Sequence, residues 1–396
     1  MSKEKTTLNG EPIYDARALG IPKMLILGLQ HLFAMFGATV LVPIIVNSYG
    51  LPLSIQTTLL FAGLGTLLFH LCTKFKIPAF LGSSFAFLGG FGAVAALDTG
   101  RFAGMSGAEK LPYALGGIVV AGVLYIALAL VIKLVGVRKV MRFLPPVVTG
   151  PIIILIGLIL APNAIKDASN CWWLAALAIT VIIVCNIFGR GMVKIIPILL
   201  GVVIPYVTAL CFNMVDFSGV QGVNLVGLQD FVLAKFDLTA ILVMAPIAIA
   251  AMMEHVGDIS AISATCGKRF IEDPGLHRTL LGDGLATSIA ALFGAPANTT
   301  YGENTGVLVL SRVYDPKVIR LAAVYAVVLS FSPKFAQIIH SIPVAIIGGV
   351  SFILYGMISA VGVRNVVENR VDFTKSRNLI IAAVILVSGL GFTNFG

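Results

Sequence analysis

The sequence has very little charge. Only 11% of its 396 residues are Asp, Glu, Lys or Arg, and 58% are hydrophobic, whereas a soluble domain has about 25% charged residues. So few charges cannot cover a folded chain of this length with a polar surface. The composition therefore excludes a soluble protein and predicts an all-α polytopic membrane protein.

The sequence also lacks the residue spacings that are typical of metal, redox and hydrolytic sites. The sequence has no CxxC, HExxH or GxSxG motif, so we expect no enzyme, no metal site and no organic cofactor. Its five scattered cysteines are expected to be small apolar packing residues. A cleavable signal peptide is not expected either, because the first apolar run begins near Ile21 and is too long for one.

Apolar stretches run along the whole chain. A membrane span needs about 20 mostly apolar residues, or fewer where a broken helix is supported by neighbouring protein. We predict thirteen spans, at 22–46, 53–72, 80–97, 111–134, 145–161, 172–189, 192–213, 238–260, 278–295, 300–311, 317–335, 343–362 and 378–396.

Basic residues occur in alternate loops between these spans. Lys74/Lys76 and Lys268/Arg269 lie in two basic loops, and loops such as 47–52 and 162–170 carry few basic residues. This positive-inside pattern places the N-terminus in the cytoplasm. It also explains the net charge of +9, so we expect no nucleic-acid partner.

Three segments of the first half return in the same order in the second half, pairing spans 1, 3 and 5 with spans 8, 10 and 12. They pair GLQHLFAMFGA (28–38) with AAMMEHVGDIS (250–260), IPAFLGSSFAFLGG (77–90) with GAPANTTYGENTG (294–306), and LPPVVTGPIIILIGLILA (144–161) with SIPVAIIGGVSFILYGMISA (341–360). The second copy begins seven spans after the first. Because seven is an odd number, each span of the second copy crosses the membrane in the opposite direction, so the repeat is inverted, as in many transporters. Two copies of seven require fourteen spans, so we expect either a truncated sequence or a protein without its last helix.

Ionisable residues are rare within the spans. They are His31, Glu254, His255, Asp258, Asp283 and Glu303. A charge at the bilayer centre costs about 2.5–3.5 kcal/mol on insertion scales, so such residues usually face a cavity or a partner. Glu254 and Asp258 are one helical turn apart, and one of two such close carboxylates is expected to hold a proton. His70, beside the Lys74/Lys76 loop, is expected at the membrane interface.

Two segments, 82–86 and 299–303, cannot easily form regular helices because they are rich in Gly, Ser, Thr and Asn. A membrane tolerates such breaks only around a protein-lined cavity, so the two breaks are expected to meet near the midplane. Amides at the breaks, the rings of Phe85 and Tyr301, and two glutamates suit a small planar ligand with donors and acceptors. A nucleobase fits this description.

Four motifs carry a resemblance to a known family. QHLFAMFGATVLVP (30–43), IPAFLGSSFAF (77–87), EHVGD (254–258) and NTTYGENTGV (298–307) resemble signature segments of the nucleobase–ascorbate transporter family, also called nucleobase:cation symporter-2, and are most similar to those of its bacterial uracil-transporting members. The resemblance implies a seven-plus-seven inverted-repeat fold with short strands breaking spans 3 and 10. It also implies a core domain (22–134 and 238–335), a gate domain (145–213 and 343–396) and a cytoplasmic segment, 1–21.

The resemblance also implies roles for individual residues. Glu254 and Glu303 would hold the substrate ring, backbone amides at Phe85 and Gly302 would bind it, and Ser84 is a further substrate-binding candidate. Tyr301 would lie beside the ring and Tyr355 would reach it from the gate. Proton symport by alternating access is implied, with Glu254, Asp258, His255, Glu303 and His31 as candidate proton carriers. Uracil permeases have a second His where this chain has Asp258, which leaves the relay group open.

Two other substrates remain as alternatives. Xanthine or uric acid transport is the alternative within the family, and anion transport on the same fold is a further one, although segments 82–88 and 298–307 contain no basic residue. A homodimer in the lipid bilayer is possible. We also expect glycines of span 5 (Gly150, Gly157) and span 12 (Gly348, Gly349, Gly356) to lie at a seam between moving halves.

Overall fold

The computed structural model describes residues 12–140 and 145–393, and most of these residues are helical. The elements of the first half are α1 (Ile21–Ser48), α2 (Ile55–Cys72), β1 (Leu81–Ser83), α3 (Leu88–Ala96), α4 (Gly107–Val135), α5 (Val137–Val140), α6 (Pro146–Ala168), α7 (Trp172–Ile187), α8 (Met192–Ile195) and α9 (Pro197–Cys211).

The second half repeats this pattern of long helices around one short strand. Its elements are α10 (Leu238–Met244), α11 (Ile247–Cys266), α12 (Leu276–Leu292), β2 (Asn298–Thr300), α13 (Gly302–Ser311), α14 (Pro316–Ser330), α15 (Pro333–His340), α16 (Val344–Glu368) and α17 (Ser376–Thr393). A helix or a half-helix therefore occurs at each of the thirteen predicted spans.

Many of these helices can cross a bilayer. Among the described residues, six helices are long and apolar enough by length and composition: Ile21–Ser48, Ile55–Cys72, Gly107–Val135, Pro146–Ala168, Leu238–Cys266 and Val344–Glu368. Shorter apolar helices such as Trp172–Ile187 and Pro197–Cys211 lie between them. The prediction of a helical multi-pass membrane protein is confirmed.

The inverted repeat is visible in single hydrogen bonds. β1 and β2 pair antiparallel, with Gly82 opposite Thr299. Just beyond the pair, the Ser84 N–H donates to the Ala297 carbonyl at 2.8 Å, and the Tyr301 N–H donates to the Phe80 carbonyl at 3.0 Å. In each bond, the residue after one strand donates to the residue before the other strand, so the two bonds are equivalent by the symmetry of the repeat. The two broken spans therefore meet, as the sequence predicted.

One predicted boundary is wrong. Span 11 was expected to run from 317 to 335, but α14 ends at Ser330 and α15 runs at 87° to it. The chain turns at Ser332, which is extended and whose side chain accepts from the Phe335 N–H, while Pro333 occupies the first position of α15. A Ser at the N-cap followed by Pro strongly favours the start of a new helix. The predicted span ran through this signal because the residues around it are mostly apolar.

Gly157, Gly348 and Gly349, three of the five glycines expected at a moving seam, lie instead between helices of the predicted gate. Gly157 of α6 faces the backbone of Tyr355 on α16, Gly348 faces Ala168 at the end of α6, and Gly349 faces Ala175 on α7. All of these helices belong to the predicted gate, so the glycines pack gate helices against one another. A Cβ atom at Gly356 would have no neighbour outside its own helix backbone within 4 Å. The division into core and gate remains a prediction.

Candidate functional site

The strand pair is held by two threonines in equivalent positions of the repeat. The Thr66 hydroxyl on α2 bonds the N–H and the carbonyl of Leu81 at 2.9 and 3.2 Å. The Thr287 hydroxyl on α12 bonds the N–H and the carbonyl of Asn298 at 3.2 and 3.0 Å. These bonds satisfy strand backbone that would otherwise be unpaired inside the membrane. Neither threonine was identified from the sequence.

Each strand leads into the N-terminus of a short helix. A 3-10 turn begins at Phe85 and continues as α3, and α13 begins at Gly302. The residues before them, Ser84 and Tyr301, cap neither helix with a side chain. The first N–H groups of a helix have no partner within it, and its N-terminus is electropositive. Two sets of donors are thus available to the oxygen atoms of a ligand.

Three carboxylates lie around these helix starts. Glu254 and Asp258 lie on α11 and Glu303 is the second residue of α13; all three are partly accessible. Glu303 is close enough to Glu254 to interact with it electrostatically. The Asp258 carboxylate accepts from the Thr300 hydroxyl at 2.9 Å, so it is tied to β2. The structure therefore brings together both predicted ring-binding glutamates and Asp258.

Phe85 and Gly302 also keep exposed surface at this position, whereas the other three predicted substrate-binding residues, Ser84, Tyr301 and Tyr355, are buried. Tyr301 is 4% exposed, and its hydroxyl donates to the Ser83 carbonyl at 2.8 Å. The Tyr301 side chain therefore packs against β1 and stabilises it. Ser84 is 1% exposed, and its hydroxyl has no partner among the described residues.

Tyr355 is the third buried residue and lies in α16, on the predicted gate side. Its side chain lies close enough to that of Tyr49, the residue after the end of α1, to interact with it electrostatically. The Tyr49 hydroxyl also accepts from the Asn163 amide of α6 at 3.3 Å. Tyr49 thus connects the end of α1 to two helices of the predicted gate.

Two histidines that the sequence proposed as proton carriers are fully buried. Nδ1 of His255 lies 2.9 Å from a carboxylate oxygen of Asp283 on α12, and both side chains are 0% exposed. The Asn304 amide lies 3.2 Å from Nδ1 of His31 and donates to its backbone carbonyl at 3.0 Å. His255 and Asn304 directly follow Glu254 and Glu303 in the sequence, so each pair anchors the backbone next to one of the glutamates.

His70 lies near the end of α2, beside the Lys74/Lys76 loop, and its expected position at the membrane interface stays a prediction. Its side chain is 0% exposed, and its Nε2 lies 2.9 Å from the Ala79 carbonyl. This contact supports the turn that leads into β1. The position of His70 beside a basic loop does not predict this contact, because the partner is a backbone carbonyl of the broken span.

The fold and this site define a polytopic membrane transporter. A family model described as "Permease family" (Xan_ur_permease) matches residues 22–395. The chain therefore belongs to this permease family and is a transporter, not an enzyme.

Curated relatives and a solved structure agree with this class. The uracil permease of Bacillus caldolyticus is 44% identical over 380 residues, which cover 92% of this chain and 84% of that one. The uracil permease of Bacillus subtilis is 40% identical over 382 residues, with the same two coverages. The transmembrane domain of the cyanobacterial bicarbonate transporter BicA has the same fold, with a TM-score of 0.68, 15% identity and coverage of 96% of this chain and 98% of that domain.

Proposed function

We propose that this protein imports uracil across the inner membrane of a bacterial cell. The observation that carries the proposal is that two uncapped helix N-termini, at Phe85 and Gly302, and the glutamates Glu254 and Glu303 all keep accessible surface. We call this accessible surface the opening. Uracil is planar and has two ring N–H groups and two carbonyl oxygens. Carboxylates accept from N–H groups, and helix N-termini donate to carbonyls.

The relatives support the same substrate. Two uracil permeases share 40–44% of their residues with this chain over most of its length. An anion substrate is less well supported, because carboxylates surround the opening and segments 82–88 and 298–307 contain no basic residue. The likeness to a bicarbonate transporter extends to the fold alone.

Uptake of labelled uracil tests this proposal directly. We expect cells that lack their own uracil permease to accumulate uracil when they express this chain, and unlabelled uracil to compete. Xanthine and uric acid are expected to compete at least tenfold less well. Full competition by either purine, or accumulation of bicarbonate in place of uracil, would overturn the choice of substrate.

We further propose that protons drive the import. Glu254, Glu303 and Asp258 offer three sites for a proton close to the substrate, and Asp258 takes the place of the second histidine of the uracil permease pattern. Uptake should stop when a protonophore collapses the gradient, and should continue in Na⁺-free buffer. Uptake that needs Na⁺ and survives the protonophore would reject proton coupling.

The orientation and the transport cycle belong to the same proposal. The basic loops would face the cytoplasm, with the N-terminus on that side. The predicted gate helices, including α6 and α16, would move against the core so that the opening faces the two sides of the membrane in turn. Tyr355 would be the contact from the gate to the substrate.

A further inference from the structure

A second cavity lies apart from the carboxylates. It has a volume of about 400 Å³ and lies between α1, α8 and α13, towards the ends of α1 and α13 that adjoin basic loops. Ile195 and Val307 line it and form a buried apolar cluster with Ala34. Val307 is one helical turn from Glu303, so this cluster separates the cavity from the substrate site.

The lining of the cavity suits an amphiphile. Most of its lining side chains are apolar, among them Ile26, Leu27 and Leu310, and Lys23 is the single charged residue among those described. Only Gln30 and Ser311 add polar side chains. This set cannot pair the several donors and acceptors of a nucleobase, whereas one cation beside an apolar cleft matches an anionic head on a hydrocarbon chain. The volume lies within the usual range of about 300–1,000 Å³ for ligand sites.

The mouth of the cavity opens towards the bilayer. Ile26 is 57% exposed and Leu310 is 50% exposed, and both belong to the lining. Ile21, at the start of α1, is 69% exposed. Apolar side chains with this much exposed surface on a spanning helix contact lipid chains. A ligand that enters past them comes from the membrane.

We propose that this cavity binds one anionic phospholipid. One acyl chain lies between α1 and α13, and the phosphate lies at Lys23, with Arg190 just before α8 and Lys194 within α8 adding positive charge. Basic pockets between spans on the cytoplasmic side attract anionic headgroups, so the site rests on the orientation proposed above. The lipid would contact core helices and the predicted gate helix α8 together.

Native mass spectrometry of the purified full chain tests the site. The probes are dioleoyl phosphatidylglycerol and dioleoyl phosphatidylcholine, which share acyl chains and differ in headgroup charge. We expect one phosphatidylglycerol per chain to be retained, at least fivefold more strongly than phosphatidylcholine. Lys23→Gln should remove this preference, and Ile26→Trp, which narrows the mouth, should weaken retention at least fivefold.

Two control variants separate the site from general lipid contact. Lys133→Gln removes an exposed lysine near the end of α4, and Leu130→Trp adds the same bulk to an exposed position of that helix. Both should retain phosphatidylglycerol as the unaltered chain does, and the melting temperature shows that all four variants are folded. Equal retention of both lipids, unchanged retention in Lys23→Gln and Ile26→Trp, or equal losses in the controls would each overturn the proposal.

Discussion

At Gly82, the middle residue of β1, there is no room for a side chain. A Cβ atom there would lie 2.6 Å from the Thr39 hydroxyl and closer still to the Tyr301 ring. We therefore expect Gly82→Ala to displace Tyr301 or β1, at a cost of about 1–3 kcal/mol, as for other overpacked sites. Thermal unfolding and uracil binding measure the two effects.

Gly89→Ala is the matched control for that change. Gly89 lies on α3, and a Cβ there would have no neighbour within 4 Å. It should leave both stability and uracil binding close to those of the unaltered protein. If Gly82→Ala behaves like Gly89→Ala, the ring of Tyr301 does not brace the strand.

Thr66 and Thr287 give a second prediction for single residues. Valine in either place keeps the shape but leaves an N–H and a carbonyl of a strand unpaired, which costs about 1–3 kcal/mol for each buried group. We expect both variants to be less stable and to bind uracil more weakly, and serine to restore both properties. Thr180→Val on the exposed face of α7 is the control, since its hydroxyl bonds only Ala176 of the same helix. Equal melting temperatures for all three valine variants would contradict this role.

Single residues also show what a sequence can reveal about a site. Glu254 and Glu303 can be recognised from the sequence because a carboxylate in an apolar span is energetically costly and usually has a functional role. Thr66 does not stand out, because threonine is common in apolar helices and its partner is a backbone group 15 residues away. Asp283 was noticed, but its contact with His255 depends on how α11 and α12 pack. The type of a residue thus indicates which side chains can form the site, whereas the packing of the helices determines which groups they contact.

At the scale of elements, both strand breaks could be predicted because Gly, Ser, Thr and Asn replace helix formers there. The bend between α14 and α15 could not, because the apolar composition continues through it. The contacts of the N-terminal segment were also hidden. Ile13 pairs with Val313, and the Ala16 N–H donates to the Asp315 carboxylate at 2.8 Å. Tertiary contacts of a short polar segment leave no periodic pattern.

This N-terminal segment ties together the ends of three helices. The Tyr14 hydroxyl donates to the Cys266 carbonyl of α11, and Asp15 pairs with Lys317 of α14. The Arg17 guanidinium and the Lys317 ammonium hold the pKa of Asp15 well below its usual range, so the pair stays charged at neutral pH. The segment thus links α11 to the junction of α13 and α14 on the side of the proposed cytoplasm.

Asp315→Ala tests this link. Asp315 accepts from the Lys317 N–H as the N-cap of α14 and also from the Ala16 N–H. We expect a loss of about 0.5–2 kcal/mol from the lost cap, together with faster proteolysis of the N-terminal segment. Asp237→Ala removes the cap of α10 and serves as the control. Proteolysis at equal rates in both variants would show that Asp315 does not hold the segment.

For the whole molecule, the junction of Tyr49, Asn163 and Tyr355 lies where the predicted core meets the predicted gate. With the native cysteines replaced by alanine, a reducible thiol cross-linker joining Tyr49→Cys to Asn163→Cys should abolish uracil uptake, and reduction should restore it. The same linker between Thr149→Cys and Asn365→Cys joins residues that contact each other at 3.4 Å within the predicted gate, so uptake should continue. Normal uptake with the first pair linked would rule out relative movement at this junction.

The proposed function depends above all on Glu254 and Glu303, the two glutamates that lie near each other beside the helix starts. Calorimetric titration of uracil into the purified protein and its Glu254→Gln and Glu303→Gln variants tests them most directly. Glutamine keeps the shape but removes the acceptor charge and the titratable proton, and Glu368→Gln, at an exposed end of α16, is the control. The account predicts at least a tenfold loss of affinity in each of the two variants, about 1.4 kcal/mol, and none in the control. Unchanged affinity in both Glu254→Gln and Glu303→Gln would contradict it.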